Sequence, residues 1–357
     1  MNQHSKLIGG DKMGEFVKEI KCVVWDLDNT LWDGILLEDK EVILKPGICD
    51  IIKELDSRGV LNSIASKNNY EDAVKKLEEV GIREYFLYPE ITWDAKSKAI
   101  DRIIKNLNIG QDTILFIDDQ QFELDEVKYE LPQVTCINSC EYMNLLEYPR
   151  LKQRFNTEDS KRRRLMYLED IARKKDENSY NGPTEKFLAS LNMRVTITEA
   201  EESDLQRAEE LTVRTNQLNA TGVTYSYSEL DEYRKSDNHK LFICELVDKY
   251  GSYGKIGLAL VEIKENWHLK MLLMSCRVMS RGIGTVLLSF IMRQAKDKGG
   301  KLYADFKMTD RNRQMYVTYK FANFKEVHID DADGVILMEN DLSIIQEYPP
   351  FVEVSIM

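Results

Sequence analysis

Short apolar runs and amphipathic stretches alternate along the first third of the chain. Lys21 to Trp25 (KCVVW) is an apolar, β-branched run, the pattern of a buried strand. A helical stretch follows at Gly47 to Ser57, and a second apolar run covers Val60 to Ala65 and ends at Ser66. From Asn68 to Val80 the residues Ala73, Val74, Leu77 and Val80 share one helical face, with Gly81 as a stop. Lys96 to Leu107 reads as a further helix closed by Asn108 and Gly110, and Thr113 to Ile117 (TILFI) reads as a third strand. This strand–helix rhythm predicts a parallel sheet. Ligands of such sheets gather beyond the carboxyl ends of the strands, where this chain places Asp26, Ser66 and Asp118.

From about residue 145 to 185 the pattern is charged and helical, and it includes Lys161-Arg162-Arg163-Arg164. The stretch Asn178 to Pro183 breaks the helix and reads as a linker. Beyond Phe187 a second mixed region has predicted strands at Arg194 to Thr198, Leu241 to Leu246, Ile256 to Ile263 and Leu269 to Met274. A glycine turn then leads into an amphipathic helix from Gly284 to Lys296. The expected organisation is a leader (1–20), an α/β domain (21–145), a helical linker (146–185), a second α/β domain (186–345) and a tail (346–357). There is no internal repeat and no low-complexity tract.

Composition sharpens this picture in two ways. The 357 residues suit roughly two domains with cores of their own. The net charge of −12 argues against a broad nucleic-acid footprint or an anionic membrane partner. No apolar run reaches the roughly 18 residues of a spanning helix, and the polar start lacks a signal-peptide core, so a cytoplasmic protein is expected. The six cysteines read as free thiols, because neither they nor the four histidines have metal-ligand spacing.

Candidate chemistry begins at VVWDLDNTLWDG, where Asp26, Asp28 and Thr30 form an Asp-x-Asp-x-Thr pattern at a strand end. Two carboxylates so placed can divide phosphoryl transfer: one attacks phosphorus, the other protonates the leaving group and later activates water. A carboxylate approaching a phosphate dianion needs a divalent cation and a lysine beside it. Asp118 and Asp119 offer the oxygen ligands Mg²⁺ favours, Lys96 a counter-charge and Ser66 a hydroxyl for the phosphate.

This ordered set resembles the haloacid-dehalogenase superfamily over residues 21 to 135. The resemblance implies a Rossmann-like parallel-sheet fold with Asp26 as nucleophile and Asp28 as acid/base and backbone-carbonyl metal ligand. Thr30 would support the loop, Ser66 and Lys96 would hold phosphate, and Asp118 with Asp119 would hold Mg²⁺ together with Asp26 and Asp28. Lys98 is a rival for Lys96, which the string Trp93-Asp94-Ala95-Lys96 favours. Only 66 − 28 − 1 = 37 residues separate Asp28 from Ser66, and 96 − 66 − 1 = 29 separate Ser66 from Lys96. Neither interval has room for a large cap domain, so the site is expected to be open to a macromolecular or protein-tethered substrate.

In the second region, Arg281-Gly282-Ile283-Gly284-Thr285 at a helix start could cradle a pyrophosphate. It resembles the acyl-CoA loop of GNAT-type N-acetyltransferases, and Met315 to Phe324 resembles that fold's second half. Met279 stands where those enzymes carry Gln or Arg. Taken together, the halves resemble the FkbH-like family of polyketide biosynthesis, through WDLDNTLWDG, ASKNN, RTNQLN and MSCRV. Gln120-Gln121, Leu37 and Lys270 depart from that family's usual Asn-Pro, glycine and acidic residue.

The family resemblance implies a bifunctional glyceryl transferase/phosphatase with 1,3-bisphosphoglycerate as donor. Cys276 would carry the acyl group as a thioester, and the phosphopantetheine arm of an acyl carrier protein would receive it. Arg277 is a candidate for aiding thiol ionisation or binding phosphate, although strand alternation would point it away from Cys276. Arg214, Thr215, Asn216, Gln217 and Asn219, with Arg281, Gly282 and Gly284, are the further candidates for acyl and pantetheine binding. His268 is a candidate base for Cys276. Two alternatives are a phosphatase joined to an acetyl-CoA-dependent N-acetyltransferase and a phosphatase joined to a docking module for carrier protein.

Overall fold

The computed structural model describes residues 18–279, 281–330 and 332–357. They form two compact units. One runs to Asn156 and includes Ser160–Arg164; the other contains Thr157–Asp159 and Leu165–Met357. The division therefore falls inside the charged stretch 146–185.

The three central strands of the first unit are buried on both faces, as a sheet covered by helices requires, and two partly buried outer strands flank them. These are β1 (Cys22–Trp25), β2 (Leu61–Ser66), β3 (Glu90–Ile91), β4 (Ile114–Asp118) and β5 (Thr135–Asn138). They pair in the order β3-β2-β1-β4-β5, with every pair parallel. The connecting helices are α1 (Ile48–Ser57), α2 (Tyr70–Glu79), α3 (Lys96–Leu107) and α4 (Gln121–Glu130). Local signals fix their ends. Gly47 takes the left-handed conformation just before α1, Asn69 caps α2 by accepting from the Glu71 and Asp72 amides, and Asn108 turns left-handed after α3. The indole of Trp25, fully buried, donates to Asn62 Oδ1 at 3.0 Å, so that β1 and β2 are also joined through side chains.

Trp25 lies opposite Ile64 of β2 and Ile117 of β4. The next residue on β1 is Asp26 and the next on β4 is Asp118, so sheet register alone sets these two carboxylates side by side. The strand order reverses between β1 and β4, and the crevice at such a reversal is where open α/β sheets take their ligands. Between Asp28 and Ser66 lie only a small hairpin (Trp32–Asp33 with Ile43–Leu44) and α1. The interval from Ser66 to Lys96 holds α2, a short turn at Arg83–Tyr85 and β3.

The second unit begins with the long helix α5 (Arg163–Ser179, whose first two residues belong to the first unit) and α6 (Thr184–Ser190). Then come β6 (Met193–Glu199), α7 (Leu205–Arg214), α8 (Tyr227–Lys235), β7 (His239–Asp248), β8 (Gly251–Ile263) and β9 (Trp267–Met274). Helix α9 (Gly284–Asp297), β10 (Leu302–Lys307), α10 (Arg313–Phe321), β11 (Lys325–Ile329), β12 (Val335–Asn340) and β13 (Val352–Ile356) complete it. The sheet order is β11-β12-β10-β9-β8-β7-β6-β13. One apolar cluster packs α9 and α10 against the sheet, and a separate one packs α7 and α8 against it.

Strands β9 and β10 are parallel but pair only over Trp267–Leu269 and Leu302–Ala304. Beyond that they part, and residues 218–220 fill the gap. Ala220 donates its amide to Leu272 O at 2.9 Å, and Leu218 O accepts from Met274 N at 2.8 Å. On the other side Ala220 O accepts from Lys307 N at 3.0 Å.

A buried ion pair ties α5 to the sheet. Arg173, 1% exposed, donates in bidentate fashion to Asp248 at 2.7 and 3.1 Å, and its guanidinium lies 4.2 Å from the Tyr253 ring. Removing one partner of such a pair strands the other charge, at a cost of roughly 3 to 5 kcal/mol. Asp248→Ala is thus expected to destabilise the second unit by about 3 kcal/mol, read as a lowered denaturation midpoint in urea. A loss below about 1 kcal/mol would show that the pair behaves as an exposed one.

Candidate active site

The loop leaving β1 is shaped by Asn29, whose φ of 54° places it in the left-handed region. Its amide oxygen accepts from Gly34 N at 3.1 Å, which curls residues 26–34 over the sheet end. Within this curl the Thr30 amide bonds back to Leu27 O at 3.1 Å. The Thr30 side chain is fully buried and its hydroxyl has no hydrogen-bond partner among the described residues.

Lys96 is the first residue of α3, and burial of that helix's inner face carries it into the crevice, where it is 4% exposed. Its ammonium donates to Asp26 Oδ1 and, at 2.9 Å, to Asp118 Oδ2. Asp118 Oδ1 in turn accepts from the Gln120 amide at 2.8 Å. Lys98, two residues on, is exposed. Ser66 ends β2 and is 3% exposed.

Charge in this crevice is unbalanced. Burial alone would lower the Lys96 pKa, but the adjacent Asp26 and Asp118 outweigh it and hold the ammonium above its ordinary value. For Asp118 burial dominates, and the nearby Asp26 charge adds to it, so its carboxyl is pushed up to about 6. Burial likewise raises Asp119. Carboxylate oxygens of Asp26, Asp118 and Asp119 lie within 4.8 Å of one another. Buried Asp119 Oδ1 has no hydrogen-bond partner among the described residues. Three converging carboxylates, one lysine and an orphaned acceptor oxygen fit a hard divalent cation.

The Asp28 side chain stands outside that carboxylate cluster. Its Oδ1 accepts from the Trp32 indole at 2.8 Å and from Leu36 N at 3.1 Å, and its Oδ2 accepts from Asn68 Nδ2 at 3.0 Å. Burial raises its pKa despite these donors. Trp32 and Asn68 are the functional neighbours that pattern reading gave no role. Both lie in quoted strings, and the position of Asn68, polar and two residues past a strand end, is the signal that could have marked it.

In the second unit Cys276 is exposed, whereas Cys22 and Cys244 are buried with thiol pKa values raised by desolvation. It opens a short turn, Cys276–Val278, just past β9. Arg277 belongs to this turn and not to a strand, so the alternation expected for it does not apply. His268 lies at the other end of β9. Six residues of strand put it ~20 Å from Met274, and its Nε2 is engaged with Asp305 at 2.6 Å. It is therefore not the base for Cys276.

Asn219 is fully buried, and its amide oxygen accepts from the Thr221 and Gly222 amides, closing its own turn. Thr215 is buried, while Asn216 and Gln217 are exposed. Arg214 is half-buried with its guanidinium 3.2 Å from Glu210. Arg281 is 6% exposed and faces Glu177 at 3.6 Å. Gly282 has a φ of 73°, and Gly284, the first residue of α9, has open space where a side chain would begin.

The sequence profile of haloacid dehalogenase-like hydrolases matches residues 34–128, a stretch that contains Ser66, Lys96, Asp118 and Asp119. The parallel-sheet unit thus carries a match to haloacid dehalogenase-like hydrolases, and a second, mixed α/β unit follows it. Among solved structures, the N-terminal part of a Bacteroides fragilis protein containing a phosphatase domain complexed with Mg is 28% identical. The alignment covers 38% of this chain and 40% of that one, with a TM-score of 0.34. The ribosomal-protein-S18-alanine N-acetyltransferase of Escherichia coli is 16% identical over 43% of this chain and 97% of its own, with a TM-score of 0.34. The spermidine/spermine N-acetyltransferase SpeG of Vibrio cholerae is 16% identical over 41% and 92%, with a TM-score of 0.31. No curated protein matches the chain. Among the described residues no helix is long and apolar enough to cross a membrane.

The raised carboxyl of Asp118 gives the cation site a pH dependence of definite sign. A proton competes with the cation below about pH 6, and the competition is absent well above it. Mg²⁺ affinity measured by calorimetry should be about tenfold weaker at pH 5 than at pH 7.5. Equal affinities at the two pH values would contradict this assignment.

Proposed function

We propose that the chain is a Mg²⁺-dependent phosphatase joined to an acyl transferase. In this reading it takes the 3-phosphoglyceryl group of 1,3-bisphosphoglycerate onto Cys276, removes the phosphate at the Asp26 site, and loads glyceryl onto an acyl carrier protein for polyketide biosynthesis. The observation that carries the phosphatase half is the Lys96 ammonium held between Asp26 and Asp118 at the strand-order reversal.

In the phosphatase half, an Asp26 oxygen forms a bond to phosphorus as the bond to the leaving oxygen breaks. Asp28, whose pKa burial raises, gives that oxygen a proton. Asp28 then takes a proton from a water molecule whose oxygen attacks the aspartyl phosphate, which frees phosphate and restores Asp26. Trp32 and Asn68 hold Asp28 in place for both transfers. Lys96 offsets charge between Asp26 and the incoming phosphate. Asp26, Asp118, Asp119 and the Asp28 carbonyl would hold Mg²⁺, which supplies charge neutralisation of the phosphoryl oxygens.

In the transferase half, the Cys276 thiolate forms a bond to the acyl carbon as the bond from that carbon to the phosphate oxygen breaks. Phosphate leaves with the electron pair, and the thiol proton goes to solvent. The thiol of a carrier protein's phosphopantetheine arm then takes the acyl group, returning Cys276 to the thiol. The exposure of Cys276 supports both steps. A reading as an acetyl-CoA-dependent N-acetyltransferase has less support. The edge of β9 that the parting strands would leave open to an extended ligand is bonded instead to Leu218 and Ala220.

Intact-mass measurement after incubation with 1,3-bisphosphoglycerate should show an acyl adduct that Cys276→Ala abolishes; an undiminished adduct would reject Cys276 as carrier. Asp26→Asn should lower release of the ester phosphate at least about 1,000-fold while leaving in place the adduct, now still phosphorylated. Normal release by Asp26→Asn would remove the phosphatase assignment.

A further inference from the structure

We infer that Arg277 is an anion-reading residue of the acyl site: its guanidinium binds a phosphate group of the acyl donor that Cys276 takes up. The inference rests on Cys276 as the acyl carrier, and it adds the chemical feature by which the donor is selected.

The argument starts from what each guanidinium in this region is bonded to. Arg207 has Asp159 at 2.9 Å, Glu210 at 2.8 Å and the Lys255 carbonyl at 3.1 Å. Arg214 has Glu210, and Arg173 has Asp248. Arg277 differs. Among the described residues its Nε reaches only the Ser275 hydroxyl, at 3.4 Å, and its Nη1 lies 2.7 Å from the Met166 sulfur. These are a weak neutral partner and a thioether, and neither offsets a charge.

Arg277 is half-buried, and Arg207 stands near enough to repel it. Asp159, Tyr167 and Cys276 also face it electrostatically, but Asp159 is already paired with Arg207. A guanidinium cannot shed its proton in a protein, so a desolvated one beside a second cation is relieved only by an anion. Its planar fork suits a phosphate, which can accept two parallel hydrogen bonds. Arg277 follows Cys276 directly in the same turn, so an anion bound there belongs to the group reacting with the thiol.

A phosphate at this place has two sources. It can be the leaving phosphate on the acyl carbon, or a phosphate ester further along the acyl chain. In the second case the acyl group reaches Cys276 with its ester phosphate attached, and phosphate removal follows capture.

Two donors separate the sources: 1,3-bisphosphoglycerate carries both phosphates, and acetyl phosphate carries only the leaving one. Arg277→Gln should slow thioester formation from 1,3-bisphosphoglycerate roughly 10- to 100-fold, the cost of losing a charge-assisted pair. If the ester phosphate is read, the loss with acetyl phosphate is at least about tenfold smaller; equal losses with both donors assign Arg277 to the leaving phosphate. Arg277→Lys should recover part of the rate. Unchanged rates with both donors in Arg277→Gln would overturn the inference.

Calorimetry with 3-phosphoglycerate on Cys276→Ala reads the anion site without any acyl transfer. Adding Arg277→Gln to that variant should weaken binding about tenfold if the ester phosphate is read, and unaltered binding would exclude the ester phosphate as the group read. If binding needs Arg277 while wild type forms no thioester with either donor, the carrier role of Cys276 fails and the anion site stands.

Discussion

A single ammonium between two buried carboxylates is the constraint around which the first unit is organised. Parallel pairing of β1 with β4 places Asp26 and Asp118 at neighbouring strand ends, where strands run about 4.8 Å apart. Two desolvated carboxylates at that spacing repel strongly, and Lys96 from α3 answers one of those charges. Asp119 then leaves the crevice in negative excess. The carboxylates that the fold must compensate are the same ones whose negative excess suits a divalent cation.

Much of this was legible in the sequence because it depends on short-range pattern. The apolar runs before Asp26, Ser66 and Asp118 are strands buried on both faces, and short length with β-branched residues, not periodicity, marks them as strands. The sequence favours Lys96 over Lys98 through the string Trp93 to Lys96 alone; that α3 buries the first and exposes the second comes from the structure. The outer strands were not legible: β3 has two residues, and β5 is a half-buried four-residue edge, so neither leaves a hydrophobic signature. The donors that hold Asp28 were equally hidden. Trp32 and Asn68 meet it from separate loops, and no spacing rule joins them.

The second unit shows where pattern reading ends and tertiary pairing takes over. Asn219 reads as a polar residue suited to a ligand, yet its amide closes a turn that seats residues 218–220 between β9 and β10. Met274 N and Leu272 O of this strand edge are therefore already bonded and not open to an extended cofactor arm. Accessible beside it is the turn after β9, with an exposed thiol and a guanidinium that, among the described residues, makes no ion pair of its own. Charge compensation, not composition, distinguishes Arg277 from Arg173, Arg207 and Arg214.

The most direct measurement is to find the covalent phosphate itself. The protein, incubated with Mg²⁺ and a phosphorylated substrate, would be quenched in acid, digested and analysed by peptide mass spectrometry. The account predicts a phosphoryl group on Asp26, absent from Asp26→Asn and depleted when Mg²⁺ is chelated. Phosphate turnover with no label on Asp26, or with label on another residue, would contradict it.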